Sequence, residues 1–214
     1  MGRQWRGSDE EQMPARQLLF MTQLADSAFP SGGFAFSSGL ETLVQEGAIA
    51  SADDYQRMVA DQILPRWFEF DRWFLQTSYQ AAEGQQEIEA LVHADCLCDI
   101  QNLCDPLLRA SVRMGRAALT TAQRIGIEGL TDYAEAHRSG RAPGHLPIVQ
   151  GVIGASLNVP LPAMEVAAVH ALLNGALSAG VRMGRIGALA AQTALLQLGD
   201  MAAERLNTPC PALP

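Results

Sequence analysis

From Ala163 to Leu198 the chain is almost continuously apolar or small, and the interruptions of that run limit what it can fold into. Glu165, His170, Asn174, Arg182 and Arg185 all fall inside it. A membrane span needs about 20 consecutive, predominantly apolar residues, so the run reads as a pair of buried helices. Gly175, Gly180, Gly184 and Gly187 punctuate it. Each glycine costs up to about 1 kcal/mol of helix propensity against alanine. Gly180 and Gly184 are four apart and share a helical face, which predicts close helix–helix approach, inside one subunit or across a subunit interface. Arg182, among small and apolar neighbours, is expected to be buried and to reach a carboxylate or helix-end carbonyls. His170 reads as a core histidine.

Other helical patterns precede this pair. Ala15–Ala25 is an apolar helix, and Ser38 with Glu41 forms a capping box for a short helix closed by Gly47. Ser51 to Asp54 caps a helix carrying Tyr55, Met58, Ile63, Trp67, Phe70 and Phe74, which Pro65 should kink or divide. Residues 85–103 form another, and Asp105 as N-cap with Pro106 at N1 starts a helix running to about Ile125. A short helix over 131–138, a loop from Ser139 to Pro147 and an apolar helix over 148–157 follow. No β-hairpin and no repeat is visible. The expected fold is all-α: a single domain of roughly eight to ten helices over 14–206, a disordered tail over 1–13 and a flexible tail over 207–214.

Between the first two helices lies Leu24-Ala25-Asp26-Ser27-Ala28-Phe29-Pro30-Ser31-Gly32-Gly33-Phe34-Ala35-Phe36. It is too rich in Gly, Pro and Ser for helix, yet carries three phenylalanines. Such a loop is tucked into its own core or offered to a partner. Asp26 and Ser27 read as turn or capping residues.

That loop, followed by Ser37, Gly39, Leu40, Glu41 and Gly47, closely resembles the N-terminal signature of the UreF-type urease accessory proteins, LADSxLPTGGFxHSxGLE. Ser178 to Met183, with Gly187 and Gln192, is similar to the same family's SAAVRLxPLGQxxGQ. Arg185 stands where that pattern has proline and Ala188 where it has glutamine. Arg109 to Arg116 is a looser likeness to ElRxAsxxxGxxL, with Leu108 in place of the glutamate. The resemblance implies a helical, dimeric, non-catalytic chaperone for nickel insertion. Its partners would be a D/H-type accessory protein, a G-type GTPase and apo-urease. Nickel and GTP would be handled by the assembled complex, with no cofactor or metal bound by this chain. The residues implied for partner binding or structure are Asp26, Ser27, Phe29, Pro30, Ser31, Gly32, Gly33, Phe34, Ser37, Glu41, Arg182, Gly187 and Gln192. Gly180 and Gly184 are the candidate subunit interface.

The residues themselves favour binding over catalysis. No P-loop, GxSxG, HExxH or Rossmann fingerprint occurs. Cys96, Cys98 and Cys104 with His93 invite a metal reading, but Cys-x-Cys points its thiols about 200° apart on a helix, and buried structural cysteine is the commoner case. A metal-dependent helical hydrolase would need paired inward carboxylates, which Asp95 and Asp99 do not supply. A direct activator of the partner GTPase stays open beside the scaffold reading. A net charge of −8 and a pI near 4.9 argue against nucleic acid or an anionic membrane as partner. The polar N-terminus and cysteine usage point to a cytoplasmic protein.

Overall fold

A computed structural model of the chain describes residues 13–26, 28–30, 39–83 and 87–210. Among them the chain is helical, with no strand. The helices are α1 Ala15–Ala25, α2 Leu40–Gln45, α3 Ala52–Met58, α4 Leu64–Arg66, α5 Arg72–Ala82, α6 Ile88–Gln101, α7 Asp105–Arg124, α8 Thr131–Arg138, α9 Leu146–Ser156, α10 Leu161–Arg182 and α11 Ala188–Leu206. α3, α4 and α5 are one continuous path joined by wide π turns at Val59–Ile63 and Trp67–Asp71. Counting that path once, the described residues hold 9 helices, within the expected range.

Several starts and stops follow local chemistry. The cap expected over Ser51 to Asp54 is present and takes the form of a capping box: Asp54 N–H donates to Ser51 Oγ at 3.1 Å and Ser51 N–H to Asp54 Oδ2 at 2.9 Å. The box expected at Ser38 is corrected, because the N-cap of α2 is Gly39, in the left-handed region at φ 83. Asp105 is the first residue of α7, not its cap, which is Cys104. Pro65 does not divide its helix. Proline lacks an N–H and crowds the carbonyl four residues back, and here the helix widens to π spacing on both sides instead.

α5 is central. It packs against α9 and α6, α9 packs against α7, and α10 packs against α11 and α1. Two apolar clusters meet at α5. Phe74 belongs to the first, with Leu91, Leu119, Tyr133, Ile148 and Val152. The adjacent Leu75 belongs to the second, with Tyr55, Trp67, Leu173, Leu177 and Leu198. The α5–α9 contact is a backbone approach: a Cβ on Gly151 would meet Leu75 O at 2.5 Å and Tyr79 N at 2.7 Å. α10 is long and apolar enough to cross a membrane by composition, but 56% of its apolar window is buried within the chain, and it carries the buried Glu165.

Glu165 pairs with Arg72, and both side chains are almost fully enclosed. Arg72 Nε donates to Glu165 Oε1 at 2.7 Å, and Gln76 Nε2 donates to the same oxygen at 2.7 Å. The guanidinium also donates to the carbonyls of Arg205, Leu206 and Thr208. The segment after α11 is therefore tied to the domain through Thr208, which lies within the 207–214 stretch expected as a flexible tail. Residues 211–214, and residues 1–12 of the tail expected over 1–13, lie outside the described residues.

Replacing Arg72 with leucine leaves Glu165 buried without its cation, a loss on the order of 3–5 kcal/mol. The double variant Arg72→Leu/Glu165→Leu should recover most of it in urea unfolding. A single variant as stable as the parent would show that the pair does not hold the fold.

Candidate functional site

α1 ends at Ala25, and Asp26 closes it as a turn: its Oδ1 accepts from Ala28 N–H at 2.8 Å. The turn drives Phe29 into the first apolar cluster, with 7% of its surface left exposed. The Pro30 carbonyl accepts from Thr121 Oγ1 on α7 at 3.3 Å. The start of the loop is thus tucked inward. Ser27, Ser31, Gly32, Gly33, Phe34 and Ser37 lie outside the described residues.

Beneath Phe29 is a cavity of about 540 Å3, a size typical of sites that take a small ligand or a partner's side chains. Its walls gather distant parts of the sequence: Leu24 from the end of α1, Asp26 and Phe29 from the loop, Ser111 and Met114 from α7, and Asn174 and Gly175 from α10. The stretches that resemble the family, or directly precede such a stretch, therefore meet at one place. Leu107, Leu146, Ile153 and Leu172 make most of the surface apolar.

Arg66, which ends α4, and Asp71, which ends the π turn that follows, supply the charged wall. Arg66 Nη1 donates to Asp71 Oδ2 at 2.8 Å and Nη2 to Asn102 Oδ1 at 3.4 Å. The guanidinium lies 5.0 Å from the Phe70 ring centre. Burial pushes the Asp71 carboxyl above its ordinary value, against the pull of Arg66 and His145. π turns recur at functional sites because they re-aim side chains out of helical register.

Behind this wall a buried carboxylate fixes the entry to α9. Asp95 on α6 is fully buried. Its Oδ2 accepts from Gly144 N–H at 2.6 Å and Tyr133 Oη–H at 2.7 Å, and its Oδ1 from His145 N–H at 3.0 Å. Burial nevertheless leaves its pKa raised, and raises the Tyr133 hydroxyl well above the usual tyrosine value. The fully buried His145 ring has Nε2 at 3.1 Å from Asp99 Oδ1, while its Nδ1 has no hydrogen-bond partner. Gly115 of α7 seals the other side: a Cβ there would lie 2.8 Å from the His145 carbonyl carbon and from Leu146 N. Burial also pushes the Cys98 thiol up, which suits a structural cysteine. Among the described residues no three His, Cys, Asp or Glu side chains are placed to share a metal ion.

Arg182 and Gln192 come together elsewhere. With Ser178, Val181 and Leu195 they line a shallower groove of about 300 Å3 between α10 and α11. Arg182 is exposed, not buried as its apolar neighbours suggested, because it sits in the last turn of α10 where the chain leaves the core. His170 is exposed as well, on the outer side of α10. Glu41 is exposed on α2, and Gly187 caps α11. Gly180 and Gly184 do not share a helical face. Gly184 lies beyond α10 in a turn that needs its φ of +66, with open space around it. Gly180 is buried, and a Cβ there would meet the Tyr55 ring at 2.7 Å and Ile186 at 2.8 Å. Its close contact is inside the chain. The Tyr55 hydroxyl donates to Ala176 O at 2.6 Å, and burial raises its pKa to about 12. The chain breaks between α10 and α11 despite Arg185 and Ala188.

A family model described as UreF matches residues 49–199. The chain belongs to the UreF family. Among curated relatives, the urease accessory protein UreF of Trichodesmium erythraeum (strain IMS101) is 31% identical over 181 residues, covering 84% of this chain and 78% of the relative. The urease accessory protein UreF of Nostoc sp. (strain PCC 7120 / SAG 25.82 / UTEX 2576) is 28% identical over 190 residues, covering 89% and 81%. That of Bacillus sp. (strain TB-90) is 28% identical over 193 residues, covering 90% and 85%. Resemblance at the two ends of the sequence had pointed to this family. It gave no sign of the Asp95–His145 junction in this UreF chain, whose partners are 50 residues apart. The visible signal was an acidic pair at i, i+4 on one helix, Asp95 and Asp99.

The raised Asp71 pKa fixes the sign of a pH effect. The native state holds that proton more tightly than the unfolded chain does. The stabilisation is therefore full below the ordinary value of 3.8 and is lost as pH rises through the raised value. Asparagine does not titrate. Thermal unfolding should show Asp71→Asn gaining on the parent as pH climbs from about 4 towards neutrality. A difference that stays flat across that range would mean Asp71 titrates as it would in water.

Proposed function

We propose that this chain is a non-catalytic accessory scaffold in urease maturation, which binds a D/H-type accessory protein and recruits a G-type GTPase to apo-urease for nickel insertion. The observation that carries the reading is the convergence of Phe29, Ser111, Met114 and Asn174 on one cavity, in a chain whose relatives are named urease accessory proteins. Nickel and GTP belong to the assembled complex as cargo and fuel. The described residues are arranged for binding: an apolar cavity with few polar groups, and ionisable residues such as Asp95 committed to backbone donors.

The scaffold works as a homodimer in this reading. Leu189 and Leu196 are 83% and 70% exposed and lie two turns apart on α11, beside the groove that holds Arg182 and Gln192. A second copy covering that face removes both from water. Light scattering should show Leu189→Asp/Leu196→Asp as a monomer with unchanged helical circular dichroism. An unchanged dimer would place the subunit contact elsewhere.

Co-expression tests the reading as a whole. With urease subunits, the D/H-type protein and the GTPase present, omission of this chain should abolish nickel-dependent urease activity, and a complex of all components should co-purify only when it is included. GTP turnover measured with and without the chain separates a scaffold, which leaves the isolated GTPase unchanged, from a direct activator. Full urease activation in its absence would reject the role.

A further inference from the structure

All 15 basic residues of the chain are arginine, and four of them fall on one side of α7. Arg109, Arg113, Arg116 and Arg124 are each exposed. At 3.6 residues per turn their directions span an arc of about 80° and a length of roughly 22 Å. No Asp or Glu occurs between Pro106 and Ile127. Arg109 makes a solvent-exposed pair with Asp105 at 3.0 Å. Arg113, Arg116 and Arg124 join no ion pair among the described residues. The opposite side of the same helix, at Leu107, Ser111, Met114 and Ala118, lines the cavity, so the arginines point away from it. Large apolar side chains flank the ends of α7: Ile100 and Leu103 before it, 73% and 93% exposed, and Ile125 after it, 50% exposed.

We propose that this face of α7 is a docking surface for a carboxylate-rich patch on a protein component of the maturation assembly. The proposal rests on the reading above and adds to it a location and a chemistry. Charge complementarity selects the occupant. The arginine stripe is the basic part of a chain whose net charge is −8, so an acidic partner is attracted at the stripe and repelled elsewhere, which sets its orientation. Guanidinium groups engage carboxylates through two parallel hydrogen bonds, which lysine cannot do. The flanking Ile100 and Leu103 suit a protein partner, since arginine together with large apolar residues is the usual composition of a protein–protein contact. A nucleic acid would gain little from those apolar groups, and the acidic remainder of the chain would oppose it.

The test uses the full chain and the three purified components (the D/H-type protein, the GTPase and apo-urease), with association measured at low and at high salt. Arg113→Glu/Arg116→Glu should slow association with one component at least about tenfold at low salt, flatten its salt dependence and leave the melting temperature unchanged. Arg113→Lys/Arg116→Lys, which keeps the charge and loses the fork, should fall between that variant and the parent. Arg57→Glu, exposed on α3 away from the stripe, should match the parent. Reversal variants that assemble at the parental rate would overturn the proposal while leaving the scaffold reading intact. So would equal slowing by Arg57→Glu, or binding of duplex DNA as tight as that of any protein component. Failure of the parent chain to assemble with any component would overturn the scaffold reading and this proposal with it.

Discussion

Arg72 is the tie on which the arrangement of the C-terminal helices depends. One guanidinium, 4% exposed, holds a carboxylate on α10, two carbonyls at the end of α11 and a third just past it, and it does so from the first residue of α5. A helix leaves its last four carbonyls without intrahelical partners, and arginine, with five donors in a fixed plane, can take several at once. The cost of burying that charge is offset only because Glu165 and the carbonyls meet it together. Phe68 adds a face to the same junction: Arg205 lies 4.5 Å and Arg72 5.6 Å from its ring centre. The end of α11 is thereby fixed relative to the start of α10.

On the other side of α5 the constraint is steric. Gly151 brings the α9 backbone onto the α5 backbone, and Gly115 brings α7 onto the start of α9. Neither site has room for a side chain, so α5, α9 and α7 form a stack whose spacing is set by backbone atoms. Asp95 then fixes the end of that stack. Three donors converge on it, two of them backbone N–H groups of the turn into α9. A carboxylate at a helix N-terminus meets both the unsatisfied N–H groups and the positive end of the helix dipole. The cavity under Phe29 stays open between this stack and α10 because neither side can slide to fill it.

Much of the fold was legible in the sequence because helices announce themselves locally. The Ser51–Asp54 capping box, the break after Ile125 and the buried α10 all follow from neighbours within a few residues. The misreadings share a cause. Pro65 reads as a breaker in isolation, yet the path around it widens into π turns and continues, a choice made by the packing of Trp67, Phe68 and Phe74. Arg182 and His170 sit among apolar residues in sequence, but which side of α10 faces the core depends on α1, α9 and α11. Gly180 and Gly184 share a face only if the helix continues, and it ends at Arg182. The site was legible in part for the same reason. Asp26 and Phe29 carry a local signal, whereas Asp95 meets Gly144 and His145, and Arg72 meets Glu165, across separations that only the tertiary fold closes.

α7 shows how these constraints combine on one element. Three properties divide its circumference. A broad inward arc with Ala110, Gly115, Ala118, Leu119 and Ala122 packs into the domain, the middle of that arc lines the cavity, and the outward side carries the arginines. Helical periodicity keeps the cavity-lining residues and the arginines about 150° apart, so a molecule bound along the arginines and one inside the cavity never compete for the same atoms. They share the helix itself, 20 residues long and without an internal proline after Pro106. Gly115 allows no inward movement of α7 towards His145, because the backbones are already in contact. A partner pressing on the arginine side therefore meets a helix that is supported from behind, and a partner needing α7 to move must first separate it from the turn that Asp95 holds. The surface proposed for docking is thus mounted on the part of the fold that the buried carboxylate and the close backbone contacts make hardest to displace.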